Sequence, residues 1–178
     1  METLKIGIIL GSTRDGRQSP NVGKWILKKA QSLSEDTYEI LDLNDFDLPF
    51  LGTSTNQESV KRWQARVAQY DGFIFIVQEY NHSLTGALKN ALDSAYREWN
   101  NKAAAIVSYG SAYGARAAEA LRLILAELQV ADVRNQVLLS LFTDFKEGVF
   151  APQSLHDGNV QAMIEQLTAW ARALKTLR

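Results

Sequence analysis

The chain has 178 residues, is 46% hydrophobic and 22% charged, and carries a formal net charge of −1 with no cysteine. That length buries an ample single core. The charge balance offers no basic footprint for nucleic acid, and without cysteine there are no disulfides, catalytic thiolates or thiolate metal sites. "METLKIGIILG" enters a strand directly, without the basic, apolar and small-residue succession of a signal peptide. No apolar run approaches the roughly 20 residues of a membrane span. The expectation is one soluble, cytoplasmic domain over residues 1–178 that engages neither membrane nor nucleic acid.

In chain order, "LKIGIIL" (Leu4–Leu10) is a near-continuous apolar run, as a parallel strand covered on both faces should be. A helix is predicted near Val22–Ala30. "TYEILDL" (Thr37–Leu43) mixes Glu39 and Asp42 with apolar residues, as an edge strand does. A helix near Val60–Gln69 precedes the second buried strand, "FIFIV" (Phe73–Val77). Apolar residues then recur at Leu84, Ala87, Leu88, Ala91, Leu92 and Ala95, one stripe of a helix. "AAAIVSY" (Ala103–Tyr109) is the next buried strand, followed by a helix near Ala115–Leu128. "VLLSLF" (Val137–Phe142) is the fifth strand candidate. The final helix is marked by Val160, Met163, Ile164, Leu167, Trp170, Ala171, Leu174 and Leu177, with Asp157 or Asn159 as its N-cap. Strand–helix alternation with buried strands predicts an α/β, doubly wound, five-stranded parallel sheet of order 2-1-3-4-5.

In that topology ligands bind at the carboxyl ends of the strands beside the switch point, here the loops after strands 1, 3 and 4. The first, "GSTRDGRQSP", has Ser19 as a natural N-cap and Pro20 at the helix start. The free N–H groups and dipole of a helix start suit an anion. Ser12, Thr13 and Ser19 add hydroxyl donors, and Arg14 and Arg17 can fork onto phosphate oxygens. A dinucleotide fingerprint fails because Ser12 and Thr13 follow Gly11. A P-loop fails because Gly16 and Gly23 are wrongly spaced and Trp25 follows Lys24. A hydroxyl-rich loop with few glycines fits a single terminal phosphate better than a pyrophosphate.

The loop after strand 3 runs Gln78-Glu79-Tyr80-Asn81-His82-Ser83, with no glycine until Gly86. Tyr80 can cover a planar ring system, and Asn81 can bond a ring amide or cap the helix. The two histidines, His82 and His156, lack metal-ligand spacing. The loop after strand 4, "SYGSAYGAR", offers Ser108, the aromatic area of Tyr109 and Tyr113, and Gly110 and Gly114 for close backbone approach. These loops present a phosphate pocket and aromatic walls but no evident catalytic side chain or metal site, an arrangement suited to a cofactor that brings its own chemistry.

These residues resemble the NADPH-dependent FMN reductase family of flavodoxin-like fold, which includes small quinone and azo reductases. The matching segments are "GSTRDGRQS", "DLNDFDLPFL", "EYNHSLTGALKNALD" and "KAAAIVSYGSAYGARAAEALR", spanning most of Leu4 to Phe142. The resemblance implies that Ser12, Arg14, Arg17 and Ser19 hold the FMN phosphate. It implies that Glu79, Tyr80 and Asn81 line the isoalloxazine and that Ser108, Tyr109 and Gly110 border its other edge. The family usually has proline where this chain has Gln78, and often proline where it has Thr85. It implies a ping-pong reaction in which NADPH or NADH gives hydride to FMN, after which a small-molecule acceptor (a quinone, azo compound, flavin or metal oxyanion) is reduced. It further implies a homodimer or homotetramer, with Phe46, Pro49, Phe50 and Leu51 apolar enough to cover a neighbour's site or to pack within the chain. A flavodoxin-type electron carrier and a flavin-binding redox-sensing partner are the rival readings; such carriers are usually strongly acidic, unlike this chain.

Overall fold

A computed structural model of the chain describes residues 2–53 and 55–178. The strands β1 (Lys5–Leu10), β2 (Thr37–Asp42), β3 (Gly72–Gln78) and β4 (Lys102–Gly110) form a parallel sheet in the order β2-β1-β3-β4. The position beyond β4 is shared by two short parallel strands. β5 (Val130–Asp132) pairs with the start of β4, from Lys102↔Val130 to Ala104↔Asp132. β6 (Val137–Ser140) pairs with its end, from Val107↔Val137 to Gly110↔Ser140.

The order 2-1-3-4-5 is therefore as expected, with the fifth position divided. The division falls at Arg134-Asn135-Gln136, whose polar groups are taken up by helices. Arg122 donates to Val133 O and to Gln136 Oε1, and Asn135 N donates to Gln166 Oε1. The fifth strand ends at Ser140, short of the expected Phe142, because the Asp144 carboxylate accepts Ser140 N at 2.8 Å and turns the chain. A small antiparallel pair, β7 (Phe145–Lys146) and β8 (Val149–Phe150), follows that turn.

Helices cover both faces. α2 (Gln57–Ala68), α3 (Gly86–Asp93) and α4 (Ala115–Glu127) enclose one core, in which Trp63, Phe73, Phe75 and Trp99 are fully buried. α1 (Ser19–Leu33) and α5 (His156–Lys175) enclose the other, built on Ile6, Ile8, Ile74, Ala105 and Val107. Alternate residues of each strand thus face opposite cores, which is why the strands read as unbroken apolar runs. β2 lies at an edge, as its mixed composition predicts. The indole N–H groups of Trp63 and Trp99 donate to carbonyls near the end of α3 (Ala91, Leu92 and Ala95), so the large aromatic groups also satisfy backbone there.

The two capping expectations are corrected. α1 begins at Ser19 with Gln18 in the N-cap position and no side-chain cap; the Ser19 hydroxyl is instead paired with Ser12 Oγ at 2.8 Å. α5 begins at His156, ahead of Asp157 and Asn159. The Asp144 carboxylate receives Gln153 N and His156 Nε2 at that point, and Asp157 pairs with Lys29.

Candidate functional site

At the end of β1 the chain must turn beneath the start of α3. Gly11 N donates to Ile76 O at 2.9 Å. A Cβ at Gly11 would lie 2.6 Å from that same oxygen, so only glycine permits the approach. Ser12 follows, buried, its hydroxyl joined to that of Ser19. Among the described residues no acceptor receives the main-chain N–H groups from Ser12 to Gln18, leaving a run of free donors ahead of α1. Thr13 and Arg14 are exposed, and Arg14 Nε donates to Tyr80 Oη at 2.8 Å.

Arg17 is placed otherwise than its sequence context suggests. Its guanidinium grips Asp42 at both oxygens, at 2.9 and 2.6 Å, and donates to Ser12 O at 2.6 Å. With only 12% of its side chain exposed, it braces the loop against β2. Asp42 also accepts Asn44 N, capping the short turn Leu43–Asp45. The pairing Leu10↔Asp42 sets this carboxylate beside the β1 loop, a proximity that sequence reasoning misses.

The loop after β3 is a closed reversal. Tyr80 N donates to Ser83 O at 2.9 Å and Ser83 N returns to Tyr80 O at 3.0 Å. Asn81 and His82 between them have φ of 48° and 68°, the two left-handed central positions of a type I′ turn. Asparagine tolerates that conformation; histidine takes it less often. Asn81 is therefore not the cap of α3. That role belongs to Thr85, whose Oγ1 accepts Leu88 N at 3.0 Å and donates to Gly11 O. A threonine directly before Gly86 and the apolar stripe was the available signal.

Glu79 anchors the reversal. Its N–H donates to Tyr109 O, and its carboxylate receives Arg116 N at 3.1 Å and Arg116 Nε at 2.6 Å. Burial alone would raise the Glu79 carboxyl, but the Arg116 hydrogen bonds and charge prevail and hold it below its ordinary value. Arg116 Nη1 lies 2.6 Å from His82 Nε2.

After β4, Ser108 and Tyr109 lie beneath the rim instead of lining it. Ser108 is fully buried and donates to Tyr113 O at 3.2 Å. The Tyr109 ring packs on Phe145 at 5.6 Å, and burial pushes its phenol well above the ordinary range. Of the two tyrosines here, Tyr113 alone is broadly exposed. Gly110 closes on Glu79 Cβ and so joins this loop to the reversal. Gly114, at φ +72°, would put a Cβ 2.6 Å from Tyr109 N. Gln78 is buried, and β-pairing sets it beside Tyr109. Gln78 Oε1 and Tyr109 Oη are both buried without a hydrogen-bond partner among the described residues, an uncommon condition.

A cleft of about 470 Å³ adjoins these loops, lined by Thr13, Leu43, Asn44, Leu48, Phe50 and Gly86 among others. Its outer wall is the loop after β2, held to α3 by Asn90, which donates to Pro49 O and accepts Leu51 N. Phe50 and Leu51 are exposed there. Phe46 is not: it is buried against Trp63 at 4.9 Å, so it packs within the chain. Among the described residues no cluster of His, Cys, Asp or Glu could hold a metal ion, and no helix is long and apolar enough to cross a membrane.

Comparison with known proteins follows this geometry. The family profile described as NADPH-dependent FMN reductase matches residues 4–144. The NAD(P)H-dependent FMN reductase ntnL of a Nectria species is 35% identical over 96% of this chain and 89% of its own. An NAD(P)H:quinone oxidoreductase of Solanum tuberosum is 34% identical over 62% of this chain and 61% of its own. Among solved structures, the flavoenzyme NAD(P)H:(acceptor) oxidoreductase FerB from Paracoccus denitrificans superposes with a TM-score of 0.73 at 23% identity, over 96% of this chain and 98% of its own. With its flavodoxin-like sheet and this match over most of its length, the chain belongs to the NADPH-dependent FMN reductase family, oxidoreductases that use FMN with NAD(P)H as electron donor.

Proposed function

We propose that this protein uses its β1, β3 and β4 loops as one cradle for FMN and, with NADPH or NADH as donor, reduces small electron acceptors in ping-pong order. The acceptor class is quinones first, with azo compounds, free flavins and metal oxyanions as further candidates. The observation that carries this reading is the run of free main-chain N–H groups from Ser12 to Gln18, beside the unpartnered Gln78 Oε1 and Tyr109 Oη. An anion and a polar ring system satisfy both. FMN held there by the β1, β3 and β4 loops would supply the redox chemistry, hydride and electron transfer between donor and acceptor.

The chain's own residues bind and orient. The N–H groups of the β1 loop, the hydroxyls of Ser12, Thr13 and Ser19, and Arg14 hold the phosphate. Arg17, expected among them, supports them by keeping the loop on Asp42. Glu79, Tyr80 and Asn81 present the backbone of the reversal to the ring, with Gly110 opposite, while Gln78 and Tyr109 offer polar atoms from below. The cleft walled by Leu43, Leu48 and Phe50 receives the second substrate and shields it from water. No side chain is assigned as acid or base.

The exposed Leu51, Tyr96 and Leu123, which share one groove, support a homodimer or homotetramer; that the enzyme is one cytoplasmic domain is part of the same proposal. The deciding experiment is a spectrum of the purified protein before and after anaerobic NADPH, with reconstitution by FMN. A flavin band near roughly 450 nm that bleaches is expected, together with steady-state NADPH oxidation when menadione is supplied. Colourless protein that takes up no FMN would overturn the reading; bound FMN without turnover would favour an electron carrier.

A further inference from the structure

The dipeptide Asp-Gly occurs three times in the chain, at Asp15–Gly16, Asp71–Gly72 and Asp157–Gly158. An aspartyl side chain closes most readily on its own backbone when glycine follows, because no side chain shields the attacking nitrogen. Whether it closes depends on what holds the carboxyl group and the next N–H. The three pairs differ in both.

Asp71 is buried, and its carboxylate receives Lys5 N at 2.9 Å, Lys175 Nζ at 3.2 Å and Arg178 Nη2 at 3.0 Å. Gly72 opens β3 and is paired with both Ile6 and Ala103. Asp157 and Gly158 are exposed, but they lie in the first turn of α5, whose regular dihedrals fix the main chain between them. Lys29 Nζ also holds the Asp157 carboxylate, at 2.8 Å. Asp15 and Gly16 have neither restraint. Both are exposed in the β1 loop, outside any helix or strand. The neighbouring arginines are engaged elsewhere, Arg14 with Tyr80 and Arg17 with Asp42, and among the described residues the Gly16 N–H meets no acceptor. Gly16 is left-handed at φ +67°, and a Cβ placed on it would find nothing within 4 Å, so there is room to close a ring.

We propose that Asp15–Gly16 is a modification site, at which Asp15 isomerises to isoaspartate through a succinimide and so rewires the loop ahead of α1.

The reaction needs only water and changes no oxidation state. Gly16 N attacks Asp15 Cγ and a new N–Cγ bond forms. One carboxyl oxygen leaves as water, taking the amide hydrogen and a second proton from the acid or from solvent. Water then opens the cyclic imide on one of two sides. Cleavage of N–Cγ restores aspartate; cleavage of the bond from N to the Asp15 main-chain carbonyl carbon leaves the chain running through Cγ. The lost water is regained, so mass is unchanged, but the backbone is longer by one carbon and the old carbonyl is now a carboxylate. The added atom falls within the run of free N–H groups from Ser12 to Gln18, so those on its two sides lose their mutual spacing. The loss of ligand that follows rests on this loop being the FMN phosphate site; the isomerisation does not. A phosphate seated on those N–H groups would occupy the nucleophile, so FMN protects Asp15.

The unaltered protein and Asp15→Glu are incubated at pH 7.4 and 37 °C, with and without saturating FMN. Isoaspartate is located by proteolytic mapping and by methyl transfer from S-adenosylmethionine with an isoaspartyl methyltransferase. Glutamate closes the larger ring far more slowly, and at an exposed position without partners it keeps the fold. Ring closure at Asp71 or Asp157 must first open sheet or helix, so isoaspartate should accumulate at Asp15 about tenfold faster or more. It should be missing from that peptide in Asp15→Glu and form several-fold more slowly with FMN. The isomerised protein, separated from the unaltered form, should bind FMN about tenfold more weakly, as for loss of one charge-assisted hydrogen bond, with riboflavin changed less. Isoaspartate no faster at Asp15 than at the other two pairs would overturn the site, and isomerised protein with undiminished FMN affinity would overturn the rewiring. Selective isomerisation in a protein that binds no FMN even when fresh would remove the cofactor reading and leave the modification site standing.

Discussion

Thr85→Val tests whether the cradle is held together from below. Thr85 Oγ1 does two things at once: it caps α3 through Leu88 N at 3.0 Å, and it donates to Gly11 O, the carbonyl at the point where β1 passes into the loop proposed to bind phosphate. The residue is 3% exposed, so water cannot replace either bond. Valine keeps the shape and removes the hydroxyl. Loss of an N-cap costs about 1 kcal/mol, and a buried carbonyl left without a donor about 1–3 kcal/mol, giving a total of roughly 2–4 kcal/mol. For a chain of this size that lowers Tm by roughly 5–15 °C. Thermal unfolding of the apoprotein, read by circular dichroism, measures it directly. Thr85→Ser restores the hydroxyl and should recover most of the loss, while FMN affinity follows the same order because the β1 loop loses its tie to α3. A Thr85→Val protein as stable as its parent, or a serine variant no better than valine, would refute the double role.

The two loop arginines should behave differently. Arg14→Ala should weaken FMN by about tenfold or more, the worth of one charge-assisted hydrogen bond, and leave riboflavin nearly unchanged; equal losses for both ligands in a fluorescence titration would remove the phosphate assignment. Arg17→Ala should instead weaken both ligands together and lower stability, since it strands Asp42 and frees the loop. Lys102, buried at the start of β4 with Nζ donating to Val67 O, is driven by burial from 10.5 to about 7. The unfolded chain then holds the extra proton between about pH 7 and 10.5, so stability rises with pH in that window by at most about 1.4 kcal/mol per unit. Urea unfolding of the parent against Lys102→Met at pH 7, 8 and 9 should show the parent gaining on the variant, and a constant difference would contradict it.

What the sequence conveys here, and what it withholds, divides along a physical line. Strands β1, β3 and β4 are legible because residues facing both cores must be apolar, and only buried parallel strands carry that demand without alternation. β5 is illegible because Val130–Asp132 is three residues, too short for any period to register, and its place is set by β4. The position of the site follows from topology, since reversing strand order opens a crevice at one rim. Individual polar roles do not follow. Ser19, Asn81, Thr85, Asp157 and Asn159 are all residues that cap helices; Thr85 alone among them caps one, because the hydroxyl of Ser19 is claimed by Ser12 and Asn81 is turned left-handed. Which donor meets which acceptor is decided by partners far along the chain. Arg17 finds Asp42, 25 residues on, only because β1 and β2 lie side by side in a register that puts Leu10 against Asp42.

The β3 loop shows the same division in one turn. A type I′ reversal is ordinarily written with glycine, which enters the left-handed region without penalty. Here the sequence is Tyr-Asn-His-Ser, so local propensity does not announce the turn. The conformation is supplied from elsewhere, by Glu79 on the Tyr109 carbonyl and by Arg116 closing on Glu79 and His82. A glycine turn would be easier to form but would leave no ring for Arg116 to reach and more freedom to lose on binding. Side chains in place of glycine make the turn dependent on its neighbours, and that dependence joins the β3 loop to α4. The proposed cradle is therefore a property of the packed sheet end, not of its loops taken singly: a Cβ at Gly11 would meet Ile76 and Leu88, one at Gly110 would meet Glu79 and Gly114, and one at Gly114 would meet Ser108 and Tyr109. A substitution at any of these contacts should propagate to the others before it reaches the ligand.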